Sequence, residues 1–495
     1  MPVETEAGDC RTVHESRLSD DAEDRGRIAL LLRVALPWLA FAAAISAGAA
    51  LLPSSVWAVL ALAGYAGFVV ALARSAPASS ILLAPLLVLG LSEFVSGVAI
   101  ERGATMVETG TGGAPSGAFA HLLLLKIALL TATAWPIEQG WRKLGAHFET
   151  DAAGWREQTA RLVVPLVLLL ALASIILALL AARHGVPLIG GLDRFTYLGR
   201  LEGTPYRSIM MNRPVIAPLI GVLIALPKSR RAGFALLGWL LLLSVLFGEK
   251  FTSLLLILGG AAIVPLLAGL VRQNALPLRP ILAGTVALGA LSLPAVLLTY
   301  GALDDGRRAW SRLGERAAVQ GQLWYLADRS RPPASIDVSS IRSDLASWPD
   351  PAAQRAQRAG PRFGLYYVMA RFTPTHRLKL AQRGGTGYVF ALHPYLLLAG
   401  GLPLLLVGGL AVALFHGWAL ALLLEALAKG HWLAALAFAR LVNSAYASLT
   451  TGYLWNSFGI KSLATLALGL FLLRAAPACL IYAKKIPLRD SPQRV

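Results

Sequence analysis

Runs of about twenty apolar residues recur along the whole chain, and no other feature limits the fold as tightly. One such run, coiled as a helix, is long enough to cross the hydrocarbon core of a bilayer. Backbone polar groups at that depth must be satisfied within the segment, which selects helices. The runs fall at 28–51, 55–73, 80–100, 117–136, 160–182, 213–227, 232–248, 251–271, 281–300, 402–426, 431–449 and 460–481. They predict an all-α, polytopic transmembrane helical bundle of about twelve spans with one large loop. With 56% hydrophobic residues the chain exceeds the roughly 45–50% of soluble domains. The 213–227 run is short, and 232–271 is interrupted only at Gly248-Glu249-Lys250, where a tight hairpin is expected. The stretch 387–401 is apolar but holds His393, Pro394 and Gly400-Gly401, and reads as a re-entrant or interfacial piece before the next span.

Residues 1–26 are polar and lack the apolar segment of a signal peptide, so a disordered cytoplasmic tail is expected there. The two cysteines, Cys10 and Cys479, make no disulfide framework. A net charge of +18 would suggest nucleic acid for a soluble chain, but in a membrane protein the placement of charge decides, and no nucleic-acid partner is expected. Short basic loops stay in the cytoplasm. Arg25 and Arg27, Arg74, the Arg142–Arg161 segment, Lys228–Arg231, Arg272, Lys429 and Lys484–Lys485 then all lie inside, with both termini. The divisions that follow are the tail 1–26, N-terminal spans 27–182, a first large outer loop 183–213, central spans 214–300, a second large outer loop with the re-entrant piece 301–401, C-terminal spans 402–482 and the tail 483–495.

The two outer loops break the charge pattern. Loop 183–213 holds five arginines against Asp193 and Glu202, and 301–388 holds thirteen Arg and one Lys against seven acids. Long loops are translocated largely regardless of charge. Guanidinium groups stay charged and grip phosphate bidentately, so a large anion such as a lipid-linked diphosphate fits, as does ordinary contact with anionic headgroups. Lys250 opens the helix after a turn, where an ammonium group and the positive end of the helix dipole would both meet a phosphate; a snorkelling pair with Glu249 is the alternative. His393 is a candidate general base at the membrane boundary, with His376 as competitor. Glu93 and Lys126 lie at matching depth in antiparallel spans and read as an ion pair, or else as part of a proton or ion path. The aromatic residues Trp310, Trp324, Tyr325, Trp348, Tyr366 and Tyr367 suit a glycan groove or helix docking equally. Stretches 306–329 and 362–383 read as amphipathic helices on the membrane. No P-loop, zinc-protease, nucleophile-elbow or dinucleotide motif is present.

Gly185-Val186-Pro187-Leu188, with Arg194 and Arg200 behind it, resembles the start of the first large periplasmic loop of Wzy-type O-antigen polymerases. The turn at 248–257 resembles their Gly-x-Arg-Gly turn, with Lys250 in the arginine position. His393-Pro394-Tyr395-Leu396 and Gly400-Gly401 are similar to the His-Asn-x-x-Leu…Gly pattern that closes their second loop, which O-antigen ligases share; Pro394 stands in place of the asparagine. The resemblance spans most of 160–430. It implies a GT-C-like, inverting, metal-independent glycosyltransferase without a cofactor. Such an enzyme works on the periplasmic side of the bacterial inner membrane and joins undecaprenyl-diphosphate-linked repeat units.

On that reading His393, Arg194 and Arg200 are catalytic, and Arg213, Lys250, Arg307, Arg308, Arg371 and Arg377 bind the diphosphate. The partners implied are lipid-linked glycans and membrane lipids, with room for a chain-length regulator. Two alternatives stay open. An O-antigen ligase would transfer glycan to lipid A core. A transporter or flippase of lipid-linked sugars would make Glu93–Lys126 central.

Overall fold

The computed structural model describes residues 31–106, 109–144, 152–186, 212–248, 251–273, 289–290, 309–330, 333, 335–346, 363–384 and 390–484. Long helices come first: α1 (Leu31–Leu51), α2 (Val56–Ser75), α3 (Pro77–Glu101), α4 (Ala118–Leu144) and α5 (Ala152–His184). Between α3 and α4, β1 (Thr105–Met106) and β2 (Thr111–Gly112) pair antiparallel, Thr105 with Gly112 and Met106 with Thr111. A 3₁₀ turn (Arg213–Ile216) leads into the nine-residue α6 (Ala217–Ala225), followed by α7 (Arg230–Leu246) and α8 (Thr252–Gln273). Four shorter or more polar helices follow: α9 (Ala309–Asp328), α10 (Val338–Ala346), α11 (Gly364–Phe372) and α12 (Thr375–Gly384). The chain then runs through α13 (Leu392–Ala428), α14 (Trp432–Thr451), the single turn α15 (Trp455–Phe458) and α16 (Ile460–Lys484).

Among the described residues, eight helices are long and apolar enough to cross a membrane. On α5 the outward face is apolar, with Val164, Leu168 and Leu179 62%, 63% and 63% exposed, as suits a helix surrounded by lipid. The chain is an all-α, multi-pass membrane protein. The expected run at 213–227 is an apolar stretch of thirteen residues (Arg213–Ala225), about 20 Å at 1.5 Å per residue, short of the roughly 30 Å core. The run at 232–248 is the seventeen-residue α7. The run at 431–449 is α14, whose centre carries Arg440. All but two residues of 281–300 lie outside the described residues.

The α13 helix is two helices. Gly400 and Gly401 leave helical geometry, and Gly401 takes φ 66°, ψ −162°, a region open essentially to glycine alone. The chain reverses there. A Cβ built on Gly408 would lie 3.0 Å from Leu396 Cδ2, although twelve residues of straight helix would separate the two by about 18 Å. The arm 392–399 therefore folds back along the arm 402–428, with Leu392, Tyr395, Leu396 and Ala399 fully buried. The longer arm packs on α4 closely enough that a side chain at Gly417 would overlap the Thr133 carbonyl.

The short helices cover the end of the bundle where α3 finishes and α4 begins. Helix α9 docks by hydrogen bonds: Gly321 N–H donates to Ser96 Oγ (2.8 Å), Trp324 Nε1–H to the Ala118 carbonyl (2.7 Å) and Tyr325 O–H to the Ala114 carbonyl (2.9 Å). Trp324 and Tyr325, candidates for a glycan groove, thus serve helix docking. Asp337 N–H donates to the Ala399 carbonyl (2.7 Å), whose position four residues on is Pro403, without an N–H to offer. Tyr395 and Ser340 hydroxyls bond at 3.0 Å. On α10, the fully buried Asp344 accepts from Leu454 N–H (3.0 Å) and Trp455 N–H (3.4 Å), capping α15 from another element.

Burial pushes the Asp344 carboxyl up from 3.8 to about 7, against the pull of those two N–H groups. A raised carboxyl favours the protonated fold. Its contribution is complete below the unfolded value and is lost as pH rises towards the folded one. Relative to Asp344→Asn, which stays neutral and keeps an acceptor, the parent should lose a few kcal/mol of stability between about pH 4 and pH 7. Thermal unfolding in detergent across that range checks this; parallel pH profiles for the two proteins would contradict it.

Candidate functional site

Charged and polar side chains inside an apolar bundle are costly, so their positions mark where the fold departs from plain packing. Two groups of them adjoin at the centre. In the first, Lys126 Nζ on α4 lies 2.7 Å from Glu93 Oε2 on α3, with the two side chains 10% and 1% exposed. The ammonium also stands over the Phe390 ring, 4.6 Å from its centroid. Phe390 has φ 63°, a left-handed conformation unusual outside glycine, and it sets the entry to the folded-back arm. Three residues on, His393 is 3% exposed and faces the same place. A cavity of about 40 Å³ is lined there by Tyr65, Lys126, Thr133, His393, Gly409 and His416 among others. His393 lines it together with Gly409 only because the chain reverses at Gly401.

Neither ring nitrogen of His393 has a hydrogen-bond partner among the described residues. A buried polar atom left bare costs about 1–3 kcal/mol. Structural residues are seldom left so; functional ones more often are.

The second group sits where α6 begins. Arg213, in the 3₁₀ turn, is 8% exposed, and its guanidinium lies 5.4 Å from the Phe247 ring centroid. Its neighbour Asn212 accepts a hydrogen bond from the Arg440 guanidinium of α14. Arg440 stands midway along a largely apolar helix, three residues before Asn443. Behind this pair a second cavity, of about 50 Å³, is lined by Pro214, Gly260, His416, Asn443 and Tyr446 among others. His416 and Leu86 line both cavities, so the two share a wall; His393 lines one of them, and Pro214, next to Arg213, lines the other.

The other expected site residues are placed differently. Arg371 is exposed and occupied within the chain: it donates to the Tyr367 hydroxyl (2.7 Å) and stands 4.8 Å over that ring, while Tyr367 O–H donates to Asp337 Oδ2 (3.2 Å). Burial raises the Asp337 carboxyl, but bonds from Ser339, Ser340 N–H and Tyr367, with Arg371 nearby, leave it below the usual range. Arg377 is half-buried on α12, and His376 is exposed beside it. Arg194, Arg200, Lys250, Arg307 and Arg308 lie outside the described residues. Arg440, His416 and Tyr446 were not singled out from the sequence. A lone arginine in an apolar run was the signal for the first; the two others carry no such mark.

A family model described as a family of unknown function (DUF6418) matches residues 358–466. The matched stretch holds α11, the reversal at Gly401, His393, His416 and Arg440. No curated protein and no solved structure matches.

The ion pair should behave as a unit. Lys126→Met alone leaves Glu93 buried and unpaired, and should cost about 3–5 kcal/mol. Glu93→Gln combined with Lys126→Met should recover most of that. Unfolding in detergent gives the coupling; additive losses would show that the pair is not a closed unit.

Proposed function

We propose that the protein is a membrane glycosyltransferase of the O-antigen polymerase kind, which joins undecaprenyl-diphosphate-linked repeat units. The observation that carries the reading is Arg213 and Arg440 meeting through Asn212 at the head of a helix too short to span. Two guanidinium groups, one buried and one half-buried and linked through Asn212, suit a ligand of high negative charge, because guanidinium grips phosphate oxygens with paired donors. Arg213 also ends the arginine-rich segment 183–213, in which Arg194 and Arg200 precede it in the sequence. The resemblance of Gly185–Leu188 and His393–Leu396 to the polymerases supports the same substrate class.

In the reaction, an acceptor hydroxyl attacks the anomeric carbon of the donor sugar from the face opposite the leaving group. The new C–O bond forms as the bond to the diphosphate breaks, and the anomeric configuration inverts. Charge accumulates on the departing diphosphate, where fixed cations stabilise the transition state more than the ground state. Arg213 and Arg440 take that role, with Arg194, Arg200 and Lys250 as their partners. The hydroxyl proton goes to His393. A 40 Å³ cavity admits water and no sugar, so the proton reaches His393 through solvent rather than by direct contact.

A second reading is movement of lipid-linked sugars across the membrane. The Glu93–Lys126 pair at the centre of the bundle favours it, because such pairs also occur in ion-coupled carriers.

Purified protein in liposomes, given only the lipid-diphosphate-linked repeat unit, should yield a ladder of longer lipid-linked glycans. Arg213→Ala and Arg440→Ala should each lower the product by about 100-fold or more while leaving the fold intact. Product formed only after lipid A core is added would reassign the chain to ligation. No product in either case, with lipid-linked sugar crossing the bilayer, would establish the transport reading instead.

A further inference from the structure

The two central cavities receive polar groups that the protein itself does not satisfy. His393 presents both ring nitrogens, His416 its Nδ1 and Tyr446 its hydroxyl; these residues are 3%, 2% and 3% exposed, and none of these atoms has a hydrogen-bond partner among the described residues. Three neighbouring elements add polar or charged groups to the lining: Lys126 from α4, paired with Glu93 of α3, Tyr65 from α2, and Asn443 with Tyr446 from α14, while α6 and α8 add apolar side chains. The Tyr65 hydroxyl donates to the Leu87 carbonyl (3.2 Å) and keeps an acceptor lone pair. The Lys126 ammonium has three N–H groups, of which Glu93 engages one side.

A buried water needs about 10–15 Å³ of accessible space and two to four polar partners. Volumes of about 40 and 50 Å³ hold about three waters each on that measure. Cavities of this size lined wholly by hydrocarbon stay dry, but these are not. The His416 ring stands between them and packs edge-on to Tyr446, with centroids 6.0 Å apart.

We propose that the two cavities form one water-binding site, divided by the His416 ring, in which water hydrogen-bonds His393 to His416 and His416 to Tyr446. An imidazole takes a proton on one nitrogen and releases one from the other, so each ring passes a proton without keeping a charge. The site runs from Pro214 and Asn443 on one side to Lys126 on the other. Its use as the route from acceptor hydroxyl to His393 rests on the glycosyl-transfer reading; the water itself does not.

The full-length protein, with nitrogen-15 histidine and reconstituted in lipid nanodiscs, tests this by solid-state magnetic resonance with polarisation transferred from water. His393→Phe and His416→Phe each remove one ring signal and so assign the two. Both rings should receive water polarisation about as fast as the exposed His376. Either ring remaining dry overturns the joined site. Should a phenylalanine variant fail to fold, an experimental map of the unsubstituted protein decides: ordered water bridging the two rings supports the site, and side-chain density filling the space overturns it. Hydrated rings in a protein that makes no glycan would remove the transfer reading and leave the water site standing; dry rings in an active protein would do the reverse.

Discussion

The chain reversal at Gly400-Gly401 brings His393 to the polar centre of this bundle. A continuous helix from 392 to 428 would carry His393 far from Gly409 and Ala413; the reversal lets all three line one cavity. Backbone geometry alone secures part of this, because the Gly401 conformation excludes side chains at a cost of about 1–3 kcal/mol. Packing secures the rest, with Leu396 filling the space that Gly408 leaves open. A broken helix at membrane depth is tolerated only where protein or water satisfies the freed backbone. The Ala399 carbonyl is met by Asp337 N–H, and Ala391 N–H reaches the Thr450 carbonyl at 3.2 Å.

The helices outside the spans therefore act on the centre. Residues 337–344 hold the turn of the folded-back arm through Ala399 and Tyr395, and hold the α14–α15 corner through Asp344. Displacing α10 would loosen both contacts at once, and with them the arm that presents His393 to Lys126. Arg371 contributes through Tyr367 and Asp337, so one of the arginines expected at the diphosphate has a positioning task in this arrangement. The arginines proposed to meet the anion, Arg213 and Arg440, lie next in sequence to Pro214 and Ala439 of the cavity on the other side of His416.

Apolar run length made the helices legible in the sequence, because hydrocarbon thickness sets it directly. The Glu93–Lys126 pair was legible for a similar reason: two opposite charges at equal depth in antiparallel helices have few other partners. The functional centre was less so. His393 stood out beside its glycines, but the fold-back that buries it depends on Leu396 meeting Gly408, a contact that composition does not encode. Trp324 and Tyr325 could not be told from a sugar platform, since aromatic residues serve both tasks and only the carbonyls of Ala114 and Ala118 decide between them. Arg440 carried a signal, a lone charge in an apolar run, but one charge leaves 431–449 reading as an ordinary span.

The reversal of α13 is the claim on which the placement of His393, the two cavities and the chemistry assigned to them all rest. Cys10 and Cys479 are the chain's two cysteines, so a background without them is simple to make. Cysteines introduced at Leu396 and Gly408 in that background should form an intramolecular disulfide under mild oxidation, visible by mass spectrometry as one linked peptide pair. A continuous helix would hold the two positions about 18 Å apart. Quantitative recovery of both as free thiols, in protein that is folded and membrane-inserted, would contradict the account.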